Sequence, residues 1–540
     1  MYCRNCQRTC EERENIKSWG NGRMQNVINR VAIGDILRRN AARFPEKVAL
    51  IDGQKEVTYQ ELDEMSNQFA NYLLSSGLKK GDTIATICGN SWEYVVVFNG
   101  IAKAGLIWVP MNPGISLNEK LYILNQVEAK LILVDAPLIQ NDLVELRQAC
   151  ANIIAVRGNL GDTNTFLLAI DGQSKREPQV DIQDRDVAQI MFTSGTTGKP
   201  KGVMTSHIAV YIASLGNIIE SNFGEDEIIL TMMPLFHCAQ HTFTMSALHR
   251  GAKSVIISGF EPETLMKTIE EQKISNMFAL PMMYKMILDH PNRSKYDLSS
   301  LKRCTYAMAP MDKRSLERCI NEICPEFALG TGQTEMYPST MVFRPEEQLR
   351  RFGSYWGTSS LINDTAIMDD NGNILPKGEV GEIVHRGPNV MNGYFKNEEE
   401  TERSKEFGWH HTGDLGYWDQ DGQLVFVDRK KDIIKTGGEN VASIMVEGAL
   451  LMHEDVANAV AVGLPHEHWA EAVTAFIVLK PGTSCTEEEI IQHCKEHLGG
   501  FQVPKSVVFL EQLPMTATGK IQKNNLRKQF QSHYRNQLNI

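Results

Sequence analysis

The chain has 540 residues, 42% of them hydrophobic and 22% charged; that length exceeds one ordinary core, so two or more domains are expected, and the composition excludes a disordered chain. Acidic residues outnumber basic ones 66 to 55, a formal charge of −11, and the densest basic stretches, 429–431 and 520–535, are short and mixed with polar residues, which excludes a nucleic-acid partner. The 11 cysteines are odd in number and scattered, and the first residues are polar, so a disulfide framework and a secretory signal are excluded and the cytoplasm is the expected compartment.

In chain order, Cys3, Cys6 and Cys10 cluster, but no fourth Cys or His stands near, and a zinc site normally needs four ligands. Residues 1–30 are read as a poorly ordered leader. Thr58 and Glu61 form a capping box, and Leu62, Met65, Phe69, Tyr72 and Leu73 mark one helical face behind it, stopped by Gly77. A strand at 83–88 follows, and Asn90 and Ser91 open the next helix. The apolar stretch 94–111 is interrupted by Asn99 and Lys103 and broken by Gly105, so it reads as a buried helix and a strand, not a membrane span. This alternation is the rhythm of a layered α/β protein.

A buried strand at 187–192 runs into Thr193, Ser194, Gly195, Thr196, Thr197, Gly198, Lys199, Pro200, Lys201 and Gly202. Small residues let backbone amides approach an anion, hydroxyls add donors and two lysines add charge, so a polyphosphate is the natural ligand. Pro200 after Lys199 excludes a Walker loop, which needs a hydroxyl residue there. The last hundred or so residues form a separate small unit, with strands at 458–462, 473–479 and 506–510. Its helix is capped by Thr486 and Glu489, presents Ile490, Ile491, Cys494 and Leu498, and ends at Gly499-Gly500. The domain boundary is set at Asp428-Arg429, dividing a large domain, 31–428, from a small one, 429–540.

From the glycine-rich loop onward the chain resembles the adenylate-forming (AMP-binding) superfamily, and most closely its acyl-CoA synthetases. The residues that carry the likeness are 193–202, Gly330-Thr331-Gly332-Gln333-Thr334-Glu335, Thr412-Gly413-Asp414, 428–435 and Gly519-Lys520, in the family's order. The resemblance implies a large multi-layer α/β domain with mixed sheets and a small mobile α+β lid. It implies that ATP phosphates lie on 193–201, including Ser194, Gly195, Thr196, Thr197, Gly198 and Lys199, with Gly332 and Gln333 beside the nucleotide. Thr334 would bond the α-phosphate, Glu335 would hold Mg²⁺, Asp414 would take both ribose hydroxyls, and Arg429 would add a contact to ribose or phosphate. Lys520 would stabilise charge building on the α-phosphoryl oxygens. Asp428 would be the hinge, and a loop at 435–440, with Gly437 and Gly438, would admit the pantetheine arm of coenzyme A.

His237 and Gly330 are candidate acyl-pocket residues, although a histidine satisfied by backbone is the alternative for His237. Met308 stands where the family commonly has glycine, Thr331 where it has Tyr, and Gln240 where it often has glycine. After Glu439-Asn440, where the family often shows a Tyr-Pro or Ser-Ser pair before a Glu, the chain has Val441-Ala442-Ser443-Ile444-Met445-Val446-Glu447. Phe236, Phe243 and Met308 suggest an apolar acid, such as a fatty acid. The activity implied is ATP-dependent carboxylic acid:CoA ligation, with small-molecule partners only and a homodimer left open. A carrier-protein thiol as acceptor, a luciferase-like oxidation and a non-catalytic binding protein are the alternatives.

Overall fold

The structure is a computed structural model that describes residues 30–161, 165–193, 199–307, 311–351, 353–515 and 521–535. The leader, Ser194 to Gly198, Met308 and Lys520 therefore lie outside the described residues.

Three sheets of thirteen, seven and five strands carry the fold. In the seven-stranded sheet, the strand Thr83–Ile87 pairs in parallel with Ile107–Pro110 and Leu131–Asp135. The antiparallel pair Val187–Thr193 and Lys201–Ser206 extends one side. The thirteen-stranded sheet is parallel from Val48–Asp52 through Phe327–Thr331 and antiparallel from Met341–Phe343 onward to His410–Trp418 and Leu424–Arg429. The five-stranded sheet is built only from residues beyond that last strand, Ile434–Thr436 to Ser506–Phe509.

The helix Trp92–Lys103 lies between the first two sheets, in contact with strands of both. All its residues from Tyr94 to Lys103 are buried, as expected of a helix apolar on every side. Lys103 survives there because its ammonium meets Asp63 Oδ1 at 2.7 Å and Asn67 Oδ1 at 2.6 Å; a buried charge must be paired. Both capping boxes, Thr58 with Glu61 and Thr486 with Glu489, are formed. Among the described residues no helix is long and apolar enough to cross a membrane.

Two local expectations change. The sequence suggests a strand over Leu424–Val427 leading into the expected hinge; the strand instead runs on through Arg429, which pairs with Asp414. The segment 435–440, expected as a loop, is a hairpin whose strands pair Lys435 with Asn440 and Thr436 with Glu439. Its turn is Gly437-Gly438, with φ of +59° and +88°. Two consecutive positive φ angles match the strand twist in a two-residue hairpin, which is why both positions are glycine.

Candidate active site

A cleft of about 2800 Å³ opens between the two large sheets and the unit that follows Asp428. The antiparallel pair places Thr193 opposite Lys201 at one wall. Lys201 is ion-paired with Glu400 and sits 5.2 Å from the centre of the Tyr394 ring; Lys199 sits 5.7 Å from that of Tyr122. Thr193, Lys199 and Lys201 all line the cleft.

At the end of the strand Phe327–Thr331 the chain turns sharply through Gly332 into a short 3₁₀ turn, Thr334–Met336. A Cβ on Gly332 would stand 2.6 Å from Pro338 Cβ and 3.1 Å from its Cα, so only glycine fits. Glu335 is held on two sides. Its Oε1 accepts from the Tyr394 hydroxyl at 3.0 Å, and its carbonyl accepts from the Met391 amide at 2.8 Å. The Thr334 hydroxyl lies 3.7 Å from Cys238 Sγ. Tyr337, fully buried at φ +23°, bonds His241 through its hydroxyl. A non-glycine residue at positive φ persists only where its surroundings fix it, and that bond with complete burial does so.

The third wall is the turn Thr412-Gly413-Asp414. Asp414 is buried, and its Oδ2 accepts from Gln333 Nε2 at 2.8 Å while Oδ1 lies 3.1 Å from Arg429 Nε. Gln333 also donates to the Thr412 carbonyl at 3.1 Å. Behind the turn stands Glu382, whose Oε1 accepts from the Gly413 amide at 2.9 Å. Its Oε2 lies 3.1 Å from Lys430 and 3.3 Å from His411. Burial alone would raise the Glu382 carboxyl, but His411, the Gly413 amide and Lys430 together hold it at about 2. The carboxylate in turn raises the His411 imidazole above its ordinary value.

The remaining wall of the cleft is drawn from helices and the parallel strands. His237 lines the cleft and also caps the helix Cys238–Arg250, its Nδ1 accepting from the Ala239 amide at 3.3 Å. The ring is thus held by backbone and also faces the cleft. Phe243 and Phe278 stack, with centroids 5.1 Å apart and planes at 10°. Gln240 is buried away from the lining, its Oε1 accepting from the Met233 amide at 3.1 Å. Gly330 and Thr331 line the cleft, and on the strand Arg303–Tyr306 the residues Arg303 and Thr305 do so too, followed by Ala307. Asn217, Glu220 and Ser221 line it from the last turn of the helix His207–Glu220 and just past it.

Gln333, Thr334, Glu335, Asp414, Arg429 and Asp428 share this cleft, with Met515 and Ile521, the described neighbours of the Gly519-Lys520 segment. Gly437 and Gly438 are outside its lining. Sequence reasoning missed Glu382, Tyr394 and Glu400. Each is a lone polar residue on a strand or short helix far along the chain from its partner, and no local spacing marks it.

Residues 37–395 match the family model of the AMP-binding enzyme, and 445–520 that of the AMP-binding enzyme C-terminal domain. Feruloyl-CoA synthase of an Amycolatopsis species is 32% identical over 497 residues, covering 91% of this chain and 98% of its own. The 4-hydroxybutyrate–CoA ligase 2 of Metallosphaera sedula is 31% identical over 518 residues, covering 91% and 93%. Among solved structures, o-succinylbenzoate coenzyme A synthetase of Bacillus subtilis, in complex with ATP and magnesium, superposes with a TM-score of 0.81 at 27% identity, covering 92% and 98%. The fold is that of the adenylate-forming enzymes, and the class is AMP-forming acid–thiol ligase. The chain belongs to the AMP-binding enzyme family.

Proposed function

We propose that the protein ligates a carboxylic acid to coenzyme A in two steps: acyl-adenylate formation with release of pyrophosphate, then transfer of the acyl group to the thiol. The observation that carries this reading is the convergence of Thr193, Lys199 and Lys201, the Thr334-Glu335 turn and the Gln333–Asp414–Arg429 group on one cleft. A buried carboxylate flanked by an amide and a guanidinium is built to accept two neighbouring ribose hydroxyls. The lysines and Thr193 would hold the β- and γ-phosphates, and Thr334 the α-phosphate.

Glu335, fixed by Tyr394, offers the oxygen donor that Mg²⁺ prefers; when bound, that ion adds positive charge beside the phosphates. The acid's own carboxylate is the nucleophile, so this step needs no strong base. Positioning and charge stabilisation supply the catalysis, and Lys520 would be the cation that meets the charge building on the α-phosphoryl oxygens. The small domain, 429–540, would turn at Asp428 between the steps.

The acid itself is proposed to be compact, with an apolar body and a hydrogen-bonding far end. Stacked Phe243 and Phe278 line the cleft, and Arg303, Asn217 and Ser221 add polar atoms to the same lining. Arg303 Nη1 donates to the Glu220 carbonyl at 2.8 Å, and Ser221 Oγ to Asn217 Oδ1 at 3.3 Å. Along the strand, Ala307 and Arg303 are four residues apart, about 13 Å, which suits a substituted ring or short chain better than a long fatty acid. The ring acid in the name of the feruloyl-CoA synthase relative points the same way.

The test is pyrophosphate release with Mg-ATP across ring acids, short acids and long fatty acids, with CoA or a carrier-protein thiol, beside Lys520→Ala and Glu335→Gln. Release that depends on a substituted ring acid or short acid, increases with CoA and collapses in both variants supports the reading. Preference for long unbranched acids would overturn the compact-acid statement. Failure to release pyrophosphate with any of these acids would favour the non-catalytic alternative.

A further inference from the structure

The helix Ser443–Leu451 starts just beyond the hairpin 434–441, and its N-cap, Ala442, has no side chain able to accept from the first-turn amides. That role falls to Asp428, which is 1% exposed. Its Oδ2 accepts from the Ser443 amide at 2.5 Å and from the Ser443 hydroxyl at 2.7 Å, while Oδ1 accepts from the Arg429 amide at 2.7 Å. A carboxylate at a helix N-terminus is favoured by both the free amides and the helix dipole.

The Ser443 hydroxyl has a single proton, and it is given to Asp428. Its lone pair takes a proton from Lys523 Nζ at 2.5 Å. The same ammonium is ion-paired with Glu447 at 2.7 Å, and Glu447 Oε1 accepts from the Ala461 amide at 3.0 Å. One direction of donation therefore runs from Lys523 through Ser443 to Asp428, and one cation serves the buried Asp428 and the half-buried Glu447. A second tie leaves the same helix, Lys523–Gln529, where Arg527 meets Asp432 at 2.9 Å.

Asp428 belongs to the strand Leu424–Arg429 of the thirteen-stranded sheet, whereas Ser443, Glu447 and Lys523 belong to the unit beyond it. The relay thus spans the expected hinge. In the orientation it fixes, Met515, Ile521 and Lys523 line the cleft together with Gln333 and Asp414, and Gly437 and Gly438 do not. Turning the small unit about Asp428 would draw Ser443 away and leave the carboxylate with fewer donors. Hydrogen bonds to a charged group are stronger than those between neutral groups, and their loss shifts a population between two orientations.

We propose that Ser443 and Lys523 are positioning residues that latch the post-hinge unit, through Asp428, in the orientation that serves adenylate formation. This rests on the two-step ligase reading above.

The experiment separates the half-reactions. Acid-dependent ATP–pyrophosphate exchange reports adenylation, and thioester formation from synthetic acyl-adenylate and CoA reports transfer. Ser443→Pro suits the first helical position and removes both donors; Ser443→Ala removes the hydroxyl; Lys523→Met removes the cation. Each should slow exchange, Ser443→Pro and Lys523→Met by about tenfold or more, the population shift expected from losing bonds to a buried charge, while transfer is unchanged or faster. Ser443→Thr and Lys523→Arg should restore exchange. Without any substrate, trypsin should cut faster after Arg429, Lys430 and Lys431 in Ser443→Pro than in the parent. Equal loss in both half-reactions, or unchanged exchange with unchanged trypsin cleavage, would overturn the latch. A parent enzyme with no acid-dependent exchange would overturn the ligase reading and the latch with it.

Discussion

Glu382 stands behind the turn Thr412-Gly413-Asp414 and braces it. It accepts from the Gly413 amide and faces Lys430 and His411. Its carboxyl is held at about 2 against an ordinary 4.5, so its contribution is complete above the ordinary value and is lost as the pH falls towards about 2. The His411 imidazole is raised from its ordinary 6.5, so its contribution is complete below that value and is lost as the pH rises through its raised one. Glu382→Gln should therefore lower the melting midpoint most between these two limits, and the gap to the parent should narrow below pH 4.5. A gap that is flat through that acid range would show that the ion pairs do not hold the turn. Gly332 and Gly330 make a second residue-scale contrast. A methyl placed on Gly332 would meet Pro338 at 2.6 Å, whereas one placed on Gly330 would meet only Thr305 Cγ2, at an ordinary 3.6 Å. Gly332→Ala should cost about 1–3 kcal/mol of overpacking and raise KM for ATP. Gly330→Ala should leave KM for ATP unchanged and shift the preference among acids, which a competition between two acids would read directly.

The elements differ in how far the sequence reveals them. Helices with caps and periodic faces are legible: the face Leu62, Phe69 and Leu73 is buried as its spacing implies, and the strand pair around the glycine-rich loop forms where the pattern changes. The hairpin 434–441 is not, because Gly437-Gly438 reads equally as a loop until its flanking strands are seen to pair. The contacts that hold the site are also hidden. Tyr337 and His241 are 96 residues apart in the chain, and only the fold joins them. Their bond ties the Thr334-Glu335 turn to the helix Cys238–Arg250, which lines the cleft. Burial pushes the His241 imidazole down to about 3, so it stays neutral, and its Nε2 has no partner among the described residues. Tyr337→Phe would leave Nδ1 orphaned as well, at a cost of about 1–3 kcal/mol for a buried polar atom. Urea unfolding should show that loss together with a lower kcat for adenylation; a loss of kcat without loss of stability would mean the hydroxyl acts on the substrate instead.

At the scale of the molecule, the hydrophobic cores fall on two sides of Asp428. Among the described residues, the two clusters around Ile434, Val473 and Val507 and around Val460, Phe476 and Tyr534 contain only residues beyond it. The clusters that pack the two larger sheets contain none of these. What joins the halves is the strand Leu424–Arg429 and polar contacts: Asp428 with Ser443, and the walls of the cleft. A latch of so few contacts can bias the orientation of the halves without merging their separate cores, so the halves should unfold as separate cooperative units rather than as one. A chain ending at Lys431 keeps the pairing of Asp414 with Arg429 and the Lys430–Glu382 ion pair. In it Asp428 is solvated rather than stranded, so no buried charge opposes folding. That chain should melt at the temperature of the large unit's own transition in the whole protein and should still bind ATP. It should lose adenylation by at least about a hundredfold, the scale on which removing one preorganised charge-stabilising donor acts. Calorimetry of both chains decides the matter. Two resolved transitions in the parent and one, unmoved, in the shortened chain are expected; a single transition that shifts on truncation would mean that the cleft contacts couple the halves into one folding unit.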